Sequence, residues 1–307
     1  MTNVLIIFWF FCALIIIMTS RAYRVLICFG VFSLVTSLIY FSLGAPDVAM
    51  SEAAISAFTT IFFIVCIEKY YSGLQIEYIK SKLKYIIMFC IAAGLCVLFI
   101  INMPVGVYTS YLRMNYLENF IQDVGGVNSV TAIYLGYRVY DTLFEALLLV
   151  TAVVAVSHLS WFGRYAVHDG YHSEIESSRM TKFTMRIICP IILLFGAYLI
   201  LNGHISAGGG FVGGVAIASF FICRYLVLGI YDLPIEKIMK MEEIVFINIT
   251  VLPILAIFTG AFYVIPYRFQ IVQDIYLIIM SILIGIKVAC GFFVLFYRYI
   301  AIERMEE

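Results

Sequence analysis

Long apolar runs, separated by short polar stretches, fill most of the chain. A helix needs about 20 apolar residues to cross the hydrocarbon core of a bilayer. Runs on that scale lie near 2–19, 25–43, 48–67, 85–102, 141–160, 185–203, 211–230, 244–264 and 275–298. They predict an all-α integral membrane protein with about nine transmembrane helices. Two segments between the runs are longer. The first, about 103–140, sets Tyr108, Tyr111, Leu112, Leu117 and Phe120 at roughly helical spacing, which predicts an amphipathic helix lying in the interface. The second, about 161–184, carries His168, His172, Glu174 and Glu176; a solvated loop explains these more simply than a metal site. The two segments divide the chain into a three-helix block (1–84), a two-helix block with the amphipathic loop (85–182) and a four-helix block (183–307).

Composition agrees with the pattern. Of 307 residues 64% are hydrophobic and 12% charged, and the mean hydropathy is +1.05, far from the balance of a soluble domain. The formal net charge is zero, so nothing favours a nucleic-acid partner; where the charges fall matters more than their sum. With the N-terminus outside, Arg21, Arg24, Lys69, Lys80, Arg164, Arg179, Lys237, Lys240 and Arg304 all face the cytoplasm, and Arg113, Arg138 and Arg268 lie outside. The positive-inside rule selects this orientation, and nine spans then leave the C-terminus cytoplasmic. The segment from Met1 to Thr19 lacks a basic leader and runs into Arg21 and Arg24, so it is expected to be a retained first span. Eight cysteines sit inside apolar runs without the close spacing of a zinc or iron–sulfur site. No cofactor is expected on this chain.

Ionisable groups inside membrane spans are costly and ordinarily face a bundle interior or a wet cavity, which makes each one a candidate. In "GAPDVAMSEAA", Pro46 breaks the run, Asp47 sits at the break and Glu52 lies just over a helical turn further on. In "YRVYDTLFEALLLV", Asp141 and Glu145 are four residues apart and share a helix face, an arrangement suited to relaying protons or sodium; Arg138 stands one turn earlier as an alternative, neutralising partner of Asp141. Lys287, in "LIGIKVACGFF", is near the middle of the last span and needs either an acidic partner or a depressed pKa. In "LNGHISAGGGFVGG", His204 closes a span beside Gly208, Gly209 and Gly210; irregular backbone at that depth has to be buried in protein or line a cavity. Gly209 with Gly213, and Gly210 with Gly214, form small-xxx-small patterns that predict close helix packing. In the predicted topology Asp47, Glu52, Asp141, Glu145 and His204 fall in the outer half of the membrane and Lys287 near its midplane, as in an acidic half-channel.

At these motifs the chain resembles the small membrane subunits of Mrp-type sodium/proton antiporters and of membrane-bound, hydrogen-evolving hydrogenases (Mbh). "GAPDVAMSEA" is similar to the hydrogenase protein MbhD and to the C-terminal part of the antiporter protein MrpA. "YLENFIQDVGGVNSVTAIYLGYRVYDTLFE" is similar to MbhE, and "GHISAGGGFVGG" with "GIKVACG" to MrpB and MbhF. The resemblance implies a fusion of MbhD-, MbhE- and MbhF-like parts in a prokaryotic plasma membrane. Its implied partners are antiporter-like membrane subunits, a hydrogenase-like peripheral arm, the lipid bilayer and a translocated Na+ or H+, with Asp47, Glu52, Asp141, Glu145, His204 and Lys287 on the ion path. The chain departs from the family pattern at Ala207, Gly136 and Phe144. Two other readings remain: an autonomous transporter, which the lack of an inverted repeat disfavours, and a structural linker, which the buried acids disfavour. No nucleophile–base pair or cofactor fingerprint points to catalysis.

Overall fold

In the computed structural model of the chain the described residues are 2–19, 22–70, 94, 111–162, 179–228, 235–258 and 270–300. They are helical with short connections, and no strand occurs among them. The long helices are α1 (Thr2–Met18), α2 (Ala22–Ser42) and α3 (Pro46–Tyr70), then, after the shorter α4 (Tyr111–Asp123) and α5 (Ser129–Ala132), α6 (Val139–Phe162), α7 (Arg179–Asn202), α8 (Gly210–Leu228), α9 (Ile235–Phe258) and α10 (Gln270–Ile300). A π-helical turn, Ile133–Tyr137, joins α5 to α6.

Six of these helices, α2, α3, α6, α7, α8 and α10, have stretches long and apolar enough to cross a membrane, and α1 contributes a shorter apolar stretch, Asn3–Ile17. The chain is a multi-pass membrane protein. Of the nine expected spans, the one at 85–102 lies, apart from residue 94, outside the described residues, as do His168, His172, Glu174, Glu176 and Tyr108. At the expected span 244–264 the described residues form α9, which starts earlier, at Ile235, runs through the charged stretch with Glu236, Lys237 and Lys240, and is not among these six. The amphipathic helix expected after residue 103 is found as α4, with Tyr111, Leu112 and Leu117 exposed and Phe120 against the core.

Helix α10 is the mast of the molecule. At 31 residues it is about 46 Å long, and it packs against α3, α6, α7, α8 and α9. In its Gln273–Arg298 stretch 67% of residues are buried, against 44% or less in the other candidate spans, so this helix is the inner one. The core gathers Phe58 of α3, Leu135 of the π-turn, Ala146 of α6, Ile222 of α8, Ile249 of α9 and Phe293 of α10.

Small residues let α8 approach its neighbours. A Cβ on Gly213 would come within 2.6 Å of the Gly196 carbonyl oxygen in α7, and one on Gly214 within 2.6 Å of the Gly285 carbonyl oxygen in α10. Gly210 meets the Ser281 carbonyl in the same way. Lipid gives helices no hydrophobic reason to associate, so this close van der Waals fit is what joins them. Gly210, Gly213 and Gly214 thus sit at close helix contacts.

Candidate functional site: a three-way joint and a charged cavity

The first cluster forms where three interruptions of helix meet. Pro46 occupies the first position of α3, where its missing N–H costs nothing, and Gly44 turns the chain into it at φ 78°. Asp47 follows in the first turn. One of its carboxylate oxygens accepts from the Asn128 side-chain amide at 3.0 Å and from the Gly208 backbone N–H at 3.2 Å. Asn128 is the centre of the joint. Its amide nitrogen also points at the carbonyls of Gly203 (3.2 Å) and Ser206 (3.0 Å), while its own oxygen caps α5 by accepting from Val130 N at 2.9 Å.

The turn between α7 and α8 is held from both sides. The His204 carbonyl accepts from the backbone N–H groups of Val127 and Asn128 at 2.8 and 3.0 Å, and the Gly203 carbonyl accepts from Thr131 Oγ1 at 2.7 Å. Irregular backbone is thereby satisfied by protein, as its depth demands. Gly209 adopts φ 109°, closed to most side chains. His204 itself is half-buried, and its Nδ1 makes no hydrogen bond.

Because Asn128 holds two other segments and a helix cap at once, Asn128→Ala is expected to lower thermal stability by about 1–3 kcal/mol. Asn128→Asp is expected to be worse at neutral pH, since it sets a second carboxylate against Asp47. Thermal unfolding of both variants checks the order; an Asp variant as stable as the parent would show that this amide does not hold the joint.

The second cluster is a cavity of about 250 Å³ between α6, α8, α9 and α10. Thr142, Glu145, Phe211, Ile249, Ile284 and Lys287 are among the residues lining it. Glu145 is exposed while lining the cavity, so it stands at the mouth. Lys287 is buried in the wall at 1% exposure. Its ammonium donates to Glu242 Oε1 of α9 at 2.6 Å and lies 5.6 Å from the centroid of the Phe246 ring. Glu242 is the acidic partner that Lys287 required. Hydropathy had left it in a cytoplasmic loop; α9 carries it into the bundle.

The remaining candidates lie apart. Glu52 accepts a hydrogen bond from Ser33 between α2 and α3. Asp141 pairs with Arg138 on an exposed face, so although it shares a helix with Glu145, only Glu145 reaches the cavity. Gly136 packs against Val124, leaving no room for a side chain there.

Two segments match known families. Residues 180–300 match the domain related to the MnhB subunit of the Na+/H+ antiporter, and residues 7–71 match MbhD, the D subunit of MBH. A probable K(+)/H(+) antiporter A/B subunit of Rhizobium meliloti is 24% identical over 66% of this chain, which spans 23% of that protein. The fold is similar to that of a chain of the Mrp complex from Dietzia sp. DQ12-45-1b, with a TM-score of 0.81 over 99% of this chain and 35% of that one, at 19% identity. It is also similar to a chain of the membrane-bound sulfane sulfur reductase, an archaeal respiratory membrane complex, at a TM-score of 0.57 and 26% identity, covering 70% of this chain and 95% of the other. With an MbhD-matching segment near one end, an MnhB-related segment near the other and a fold similar to chains of both complexes, the chain resembles membrane subunits of the Mrp/MBH type.

Proposed function

We propose that the chain is a non-catalytic subunit of a complex that translocates Na+ or H+, in which its three blocks join antiporter-like membrane subunits to the remainder of the assembly. The observation that carries this reading is the cavity with Glu145 at its mouth and the buried Lys287–Glu242 pair in its wall. Buried ionisable groups in a span are retained at a cost, and a cavity lined by both a carboxylate and a lysine is a suitable station for a proton or a cation. The expected orientation, N-terminus outside, brings Asp47 and His204 to the outer side of this station. Similarity to a respiratory membrane complex favours the membrane arm of a redox-driven, hydrogenase-type machine in a prokaryotic plasma membrane. The second reading, a component of a stand-alone Mrp-type antiporter, is favoured by the similarity in fold that extends over 99% of the chain.

Glu145→Gln keeps the shape and most of the hydrogen-bonding capacity while removing the charge. In vesicles carrying the assembled complex this variant is expected to keep the parental yield and to form the ion gradient roughly tenfold more slowly, about 1.4 kcal/mol in the barrier. Assembly and transport both at the parental level would overturn the reading.

A further inference from the structure

The seam between α7 and α8 keeps one register along its length. A Cβ on Gly203 would lie 2.5 Å from Gly209 Cα, and one on Gly196, two turns back along α7, would lie 2.9 Å from Ile217 Cγ1 and 3.4 Å from Ala216 Cβ. Two further turns along both helices reach Cys189 on α7 and the neighbours Cys223 and Arg224 on α8. Cys189 is 4% exposed, so the stripe is still turned toward protein at this level. Arg224 stands two turns after Ile217, on the side of α8 that faces α7. Arg186 and Lys182 precede Cys189 by one and two turns, on the side of α7 that faces α8.

These three cations stand within stretches apolar enough to cross a membrane, Arg179–Asn202 and Gly210–Val227. All three are exposed, neither helix carries an acidic residue, and among the described residues no carboxylate pairs with any of them. At about 1.5 Å per residue, Arg224 and Arg186 lie about 22 and 26 Å from the Gly203–Gly209 contact, close to one level and near the far edge of a hydrocarbon core about 30 Å thick. A charge in a span is costly, and like charges on facing stripes repel unless an anion comes between them. On the adjoining stripe of α7, Ile187, Ile191, Leu194 and Tyr198 are exposed and lead from the cations into the apolar part of the span.

We infer that this end of the seam is a binding site for an anionic phospholipid. The lipid phosphate sits between Arg224 of α8 and Arg186 of α7, Lys182 reaches the headgroup from the water side, and an acyl chain lies along Ile187, Ile191 and Leu194. Arginine suits the role because its planar guanidinium takes phosphate oxygens in pairs. Basic residues on a single helix end attract an anionic leaflet as a whole. Cations that converge from two helices hold one headgroup, and here they tie α7 to α8 at the end where neither helix has a glycine to bring the backbones together.

The test uses the full chain in mild detergent, with bound phosphatidylglycerol counted by native mass spectrometry and thermal unfolding followed as lipid is added. Phosphatidylglycerol is expected to bind and to raise the unfolding temperature; phosphatidylcholine, whose head is neutral overall, and inorganic phosphate are expected to do neither. Arg186→Gln and Arg224→Gln are each expected to weaken phosphatidylglycerol binding about fivefold, and both together about 30-fold. Lys240→Gln, on α9, which packs against α6 and α10, is expected to leave it unchanged. Equal binding by the parent and the double variant, or an equal loss from Lys240→Gln, overturns the site. Stabilisation by inorganic phosphate to the same extent overturns the lipid and makes a free anion the ligand. Should Arg224→Gln fail to fold, Arg186→Gln decides by the same fivefold change. If phosphatidylglycerol does not bind the parent while Arg186→Gln lowers the yield of the assembled complex, the anion is a carboxylate of a neighbouring subunit and the lipid is overturned.

Discussion

Lys287→Met is expected to destabilise the protein by about 3–5 kcal/mol, because it strands Glu242 as an unpaired charge in the bundle. The pair is desolvated, with Lys287 at 1% and Glu242 at 5% exposure, and they are joined at 2.6 Å. Replacing both partners removes that penalty, so Glu242→Gln with Lys287→Met is expected to recover most of the lost stability. Complex yield and thermal unfolding in mild detergent measure this. A single variant as stable as the parent would mean that water or a neighbouring protein already serves the pair. The double variant then separates stability from transport: it is expected to assemble but to form no ion gradient, and gradient formation at the parental rate would remove Lys287 from the relay.

Gly214→Leu is expected to abolish assembly. Its first side-chain carbon alone would lie 2.6 Å from the Gly285 carbonyl oxygen and 2.8 Å from Val288 Cβ, and both belong to the buried face of α10, where neither backbone nor a β-branched side chain can give way. Overpacking a tight interior by one or two carbons already costs about 1–3 kcal/mol, and leucine adds four. Gly44 is the contrasting case, with nothing within 4 Å of a Cβ and only a φ of 78° to oppose one. Gly44→Leu is therefore expected to assemble with a loss of about 1–2 kcal/mol. Comparable loss of complex from both substitutions would show that helix crossing at Gly214 is not what holds α8 to α10.

The elements were legible wherever a single period carried the information. Apolar runs gave α2, α3, α6, α7, α8 and α10 to within several residues, and the glycine spacing of 209–214 announced a close crossing. Lys287 was legible as a charge in need of a partner, but Glu242 was not, because a hydropathy window places the charged opening turns of a helix in the loop they border. The demand itself was the available signal: Glu242 and Glu243 are the acids that open the neighbouring span. Asn128 carries no charge and no period. Its importance comes from contacts between distant parts of the chain, such as that with Gly203, 75 residues on, and the physics of a buried hydrogen bond cannot be read before its two ends are known to meet. Asp141 shows the reverse error of proximity, since sharing a face with Glu145 did not bring it to the same cavity.

The bond from Gly208 N to Asp47 spans 161 residues, and this sets an order on biosynthesis. At roughly 5–20 residues per second, the ribosome adds the second partner about 8–32 s after the first. Throughout that interval the carboxylate at the start of α3 has neither Gly208 nor the His204 turn to receive it. The first three helices thus enter the bilayer with an end that cannot be completed from within themselves. Their docking waits for the carboxy-terminal half of the chain, and a polypeptide stalled before residue 208 would display an unfinished acidic terminus to the insertion machinery and to membrane proteases.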